Sequence, residues 1–125
     1  MILVDTSIWV SHLRNGNSKL EELLNDGDVF CHLFIIGELA CGNIKNRTEI
    51  LSLLSALPKV DLLDNAEVLS FIERNKLMGK GLGLIDVHLL ASAILSEAPL
   101  WTLDTKLKHV AHILSAAYEY ERTGR

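Results

Sequence analysis

The chain has 125 residues, 49% of them hydrophobic and 22% charged, with a formal net charge of −4. That length suits one domain, residues 1–125, with enough apolar material for a core, and two prolines without any low-complexity tract exclude an extensively disordered protein. The mild acidity argues against a broad basic face for nucleic acid, yet it is compatible with an acidic pocket that recruits cations.

The opening MILVDTS lacks a basic segment, so no secretory signal is expected. Apolar runs such as Leu33 to Ile36 are too short to cross a bilayer. The expectation is a soluble, cytoplasmic protein with no membrane association. Cys31 and Cys41 fit no metal-binding spacing, and each lies in an apolar run where a buried free thiol is the ordinary occupant.

In chain order, Ile2 to Val4 is a short strand that stops at Asp5, and Thr6 or Ser7 offers the cap of a helix ending near Asn15 and Gly16. A helix follows from Ser18 to Asn25, then a strand from Val29 to Leu33 and a helix from Phe34 to Gly42. Thr48 to Leu57 is helical up to Pro58, and Val60 to Leu63 resembles a third strand. A long amphipathic helix from Asn65 to Met78 runs into the glycine-rich loop GKGLG. Leu84 to Ser96 is the most apolar helix, Leu100 to Leu103 a fourth strand, Thr105 to Ala117 the last helix, and Tyr118 to Arg125 a short strand or tail. Alternating strands and helices predict an α/β fold, a three-layer α/β/α sandwich around a central, mostly parallel sheet.

Ligands of such sheets collect beyond the carboxyl ends of the strands, which singles out Asp5 in LVDTS and Asp104 in WTLDTKL. A simple helix cap explains Asp104 equally well. Two further acids fall on apolar helix faces. Glu38 has Phe34, Ile35, Cys41 and Gly42 as its helical neighbours, and Asp86 shares a face with Leu89, Leu90 and Ala93. The helix dipole accounts for an acid in a first turn but not for its inward direction.

The basic candidates Arg14, Arg47, Arg74 and Lys106 lie where solvation is the easier reading. Converging carboxylates about 4 Å apart repel by roughly 4 kcal/mol per pair at an effective dielectric near 20, and a divalent cation is the direct remedy. A site built from carboxylate oxygens selects Mg2+ or Mn2+ over Zn2+. The histidines do not change this: His88 lies on another helix face than Asp86, and His109 and His112 have no third ligand, so core or surface roles suffice.

These residues resemble the PIN-domain family, and within it the VapC-type ribonuclease toxins. MILVDTSIWV is similar to the family's opening, GEL at 37–39 to its second acidic motif, IDVHLLASA at 85–93 to its third, and TLDTKL at 102–107 to its fourth. The order and spacing cover nearly the whole chain. The resemblance implies a PIN-like domain, a homodimer, and Mg2+- or Mn2+-dependent endonuclease activity on RNA that leaves 5′-phosphate and 3′-hydroxyl ends. It also implies a cognate VapB-like antitoxin protein, which blocks the site and joins the toxin in repressing their operon. By position, Asp5, Glu38, Asp86 and Asp104 would hold one or two ions, with the Thr6 or Ser7 hydroxyl assisting at the metal or substrate. The loop before Asp86 lacks the arginine that would grip phosphate, and Lys80 stands in for it.

Two other readings compete. A non-catalytic partner-binding module is disfavoured by the presence of all four acids. A Mg2+-dependent phosphoryl-transfer domain with Asp5 as nucleophile is disfavoured because position 7 is serine rather than a second acid.

Overall fold

In the computed structural model, which describes residues 1–119, a small parallel sheet is combined with seven helices. Strand β1 (Ile2–Val4) is central, with β2 (Val29–Phe30) and β3 (Leu100–Trp101) on either side in parallel. Adjacent strand residues point to opposite faces, and both Leu3 and Val4 are fully buried, so helices cover the sheet on both sides. That is the expected α/β/α layering.

The helices are α1 (Thr6–Asn15), α2 (Ser18–Asn25), α3 (Leu33–Cys41), α4 (Arg47–Ala56), α5 (Asn65–Asn75), α6 (Leu84–Leu95) and α7 (Thr105–Ile113). Helix α6 is buried continuously from Val87 to Ala93, which explains why its sequence is apolar all round rather than striped.

Several boundaries differ from the sequence reading. Val60 to Leu63 is not a strand. Pairing at that edge is limited to a parallel bridge between Lys59 and Cys31, carried by Cys31 N–H to the Pro58 carbonyl and Val60 N–H to the Cys31 carbonyl. Strand β2 ends before Leu33 because His32 Nδ1 accepts the Phe34 N–H and starts α3 there. Helix α5 stops at Asn75, where Lys76 turns left-handed (φ 53°), and α7 stops at Ile113, two residues before left-handed Ser115. Beyond α7, Ala117 pairs in parallel with Leu100, so a strand-like contact does begin there, while residues 120–125 of the expected tail lie outside the described residues. Cys31 is fully buried as expected, but Cys41 is exposed.

All three strand ends aim the start of a helix at the same end of the sheet, because parallel strands share a direction: β1 runs into α1, β2 into α3 and β3 into α7. The acidic residues at those junctions are thereby brought to one end of the molecule.

Candidate active site

Asp5 occupies the N-cap position of α1, which the sequence reading had given to Thr6 or Ser7. Its backbone carbonyl accepts from the Ile8 and Trp9 N–H groups, but its carboxylate makes no capping bond. Instead, Asp5 Oδ2 accepts two hydroxyls, Thr102 Oγ1 at 2.6 Å and Ser7 Oγ at 2.9 Å. Those hydroxyls are themselves fixed: Ser7 Oγ accepts the Leu103 N–H at 2.9 Å, and Thr102 Oγ1 accepts the Asp104 N–H at 3.0 Å. Asp5 is only 6% exposed, and its Oδ1 accepts no hydrogen bond among the described residues. One oxygen is clamped and the other is not.

Glu38 is tied to the same junction through its neighbour: Thr6 Oγ1 donates to Glu38 Oε1 at 2.8 Å, linking α1 to α3. Its placement differs from expectation. The buried stripe of α3 is Ile35 and Leu39, whereas Phe34 and Cys41 are exposed, so Glu38 stands half-buried at the border of that stripe. Asp86 sits in the first turn of α6, half-buried, with Leu90 and Ala93 of its face fully covered. The Gly83 N–H donates to Asp86 Oδ2 at 3.1 Å. Asp104 is exposed and caps α7, its Oδ1 accepting the Leu107 N–H at 3.0 Å.

The electrostatics place these groups in one field. Burial pushes the Asp86 carboxyl above its usual range; the Gly83 N–H opposes that, and the charges of Asp104 and then Asp5 add to it. No arginine or lysine forms an ion pair with any of the four acids among the described residues. Arg47, one of the basic candidates, is occupied elsewhere, donating at 2.8 Å to the Ala40 carbonyl at the end of α3. The four acids therefore have no counter-charge paired with them among the described residues.

Among the described residues, no three acid, histidine or cysteine side chains are drawn together tightly enough to form a ready-made ion site. The donor set is entirely oxygen, which suits Mg2+ or Mn2+. The buried histidines stand apart: His32 and His88 pack around Phe34, at ring-centroid distances of 5.0 and 4.8 Å, and belong to the core.

Residues 2–113 match the PIN domain family. The chain belongs to the PIN domain family. It is 47% identical over 109 residues to "Ribonuclease VapC32" of Mycobacterium tuberculosis, in both strain CDC 1551 / Oshkosh and strain H37Rv, across 86% of this chain and 88% of those proteins.

Within this PIN domain, the residue that sequence reasoning passed over is Thr102. It was quoted in TLDTKL but given no role, although it is 3% exposed and its hydroxyl joins Asp5 to the backbone of Asp104. A hydroxyl inside an otherwise apolar strand end, two residues before a candidate acid, was the available signal. Thr6 and Ser7, expected to assist at metal or substrate, both donate to carboxylates in this PIN domain. Lys80 is exposed beside the α6 loop.

Proposed function

We propose that the chain is a Mg2+- or Mn2+-dependent endoribonuclease, the toxin of a VapC-type toxin–antitoxin pair, acting as a homodimer in the cytoplasm and restrained by a VapB-like antitoxin protein. The observation that carries this reading is the buried Asp5 carboxylate, which forgoes helix capping, is clamped by two hydroxyls and shares an uncompensated negative field with Asp86 and Asp104. The likeness to proteins named ribonuclease gives the reaction class.

Asp5, Glu38, Asp86 and Asp104 are the residues that would hold the ion. When bound, Mg2+ or Mn2+ supplies an activated water and a counter-charge for the phosphate oxygens. Thr102 and Ser7 hold Asp5 in one orientation, and Thr6 does the same for Glu38, so that less side-chain freedom is lost when ligands assemble. The N-termini of α6 and α7, which carry Asp86 and Asp104, add positive dipole ends where an anionic backbone approaches.

The test is cleavage of an RNA substrate by the purified chain with Mn2+ or Mg2+. Activity that vanishes in EDTA and in Asp86→Asn, with the fold retained, supports the reading; undiminished activity in EDTA contradicts it. The open spacing of the acids favours a second reading, a PIN-like module that binds a partner without chemistry. Partner binding in a chain that cuts no RNA with either ion would decide for that alternative.

A further inference from the structure

Lys106 occupies the second position of α7, two residues after Asp104, and is exposed. A positive charge in a first helical turn opposes the helix dipole. An ion pair would explain it, but Lys106 forms neither an ion pair nor a hydrogen bond among the described residues.

Its stem is nevertheless seated. Lys106 lies across Gly81 in the loop that leads into α6, so closely that a Cβ at position 81 would stand 2.8 Å from Lys106 Cδ, 3.3 Å from Cε and 3.1 Å from Nζ. Gly81 also adopts φ +80°, a backbone conformation that favours glycine. Two residues on, the Gly83 N–H holds Asp86. The ammonium thus lies over a residue two positions before the one whose N–H anchors Asp86. It forms no ion pair with any of the four acids among the described residues.

From these observations we propose that Lys106, rather than Lys80, is the residue that grips an RNA phosphate next to the scissile one. The proposal rests on the ribonuclease reading above and adds the source of the phosphate-binding charge. A lysine whose stem already lies against the loop loses less freedom on binding than one free in solvent. Gly81 acquires a purpose: it leaves room for the lysine to reach across from α7.

The test is equilibrium binding of a labelled single-stranded oligoribonucleotide as a function of salt. It compares the uncleaving Asp86→Asn variant with Asp86→Asn/Lys106→Gln and Asp86→Asn/Lys106→Arg. Loss of one phosphate contact is expected to weaken binding about 10-fold and to make the slope of log affinity against log salt shallower by about 0.7, with arginine restoring both. In the otherwise unaltered chain, Lys106→Gln is expected to raise KM by a similar factor while changing kcat less than about 2-fold. An unchanged salt slope, or a loss confined to thermal stability, overturns the assignment of Lys106 while cleavage by the unaltered chain leaves the ribonuclease reading standing. Absence of RNA cleavage with either ion overturns the ribonuclease reading, and absence of RNA binding overturns both.

Discussion

The junction after β1 and the junction after β3 begin with the same words, Asp-Thr following an apolar strand, and do opposite things. Asp104 is exposed and spends one oxygen on capping α7, whereas Asp5 is buried at the cap position of α1 and gives its carboxylate to the hydroxyls of Thr102 and Ser7. The difference arises from position in the sheet. Strand β1 is central, so the residue that leaves it is enclosed by neighbours and can be clamped from another strand, while Asp104 lies three residues beyond β3 and faces solvent. A carboxylate withheld from capping in a protected place is free for another purpose, and the one proposed for it is ion binding. The junction after β2 is a third variant, with the neutral imidazole of His32 as the cap.

Substituting asparagine at both acids breaks the comparison most sharply. Asparagine caps helices well, so Asp104→Asn is expected to keep stability within about 0.5 kcal/mol. Asp5→Asn is expected to lower kcat/KM for RNA at least about 1000-fold, the loss that follows removal of a central charge, and Asp104→Asn by a smaller factor. Equal losses in a cleavage assay would erase the distinction between the two junctions.

The β2 junction has its own signature in pH. Burial, then the neighbouring His88 charge, pulls the His32 imidazole down to about 4. A base with a depressed value is neutral in the fold and protonated when unfolded, so its contribution is complete above about pH 6.5 and is lost as pH falls towards about 4. The loss is at most about 3 kcal/mol at roughly 1.4 kcal/mol per unit. Urea unfolding of the chain and of His32→Asn across that interval checks it, because the carboxylates titrate alike in both. If the two chains keep parallel pH profiles, the imidazole is not the source.

Thr102→Val removes the hydroxyl that holds Asp5 and leaves the Asp104 N–H without its acceptor, with an expected cost of about 2 kcal/mol in stability and a fall in kcat. Thr102→Ser is expected to recover most of both. The smallest effect belongs to the exposed junction, where Asp104→Ala is expected to cost about 1 kcal/mol in thermal unfolding through the lost cap.

Much of this was legible in the residues themselves. The four acids and the parallel α/β plan follow from apolar runs that stop at Asp and from acids on helix faces. What could not be read was which side chain caps which helix, because Asp5, Thr6 and Ser7 are all competent and only the position of Thr102, 97 residues away, decides between them. The supposed strand at 60–63 failed for a related reason: edge pairing depends on a partner, and β2 itself ends at Phe30, two residues before the His32 cap of α3, which leaves only the Cys31–Lys59 bridge among the described residues. The apolar face expected around Glu38 is narrower than its residue types suggest, because Phe34 and Cys41 are exposed.

The central claim is that Asp5, Asp86 and Asp104 share one cation. Calorimetric titration of Mn2+ into the ion-free chain and into Asp86→Asn at neutral pH tests it directly, with fold monitored by circular dichroism. Binding by the unaltered chain that disappears in the folded variant is the predicted result. No binding by the unaltered chain, or equal binding by both, would contradict the account.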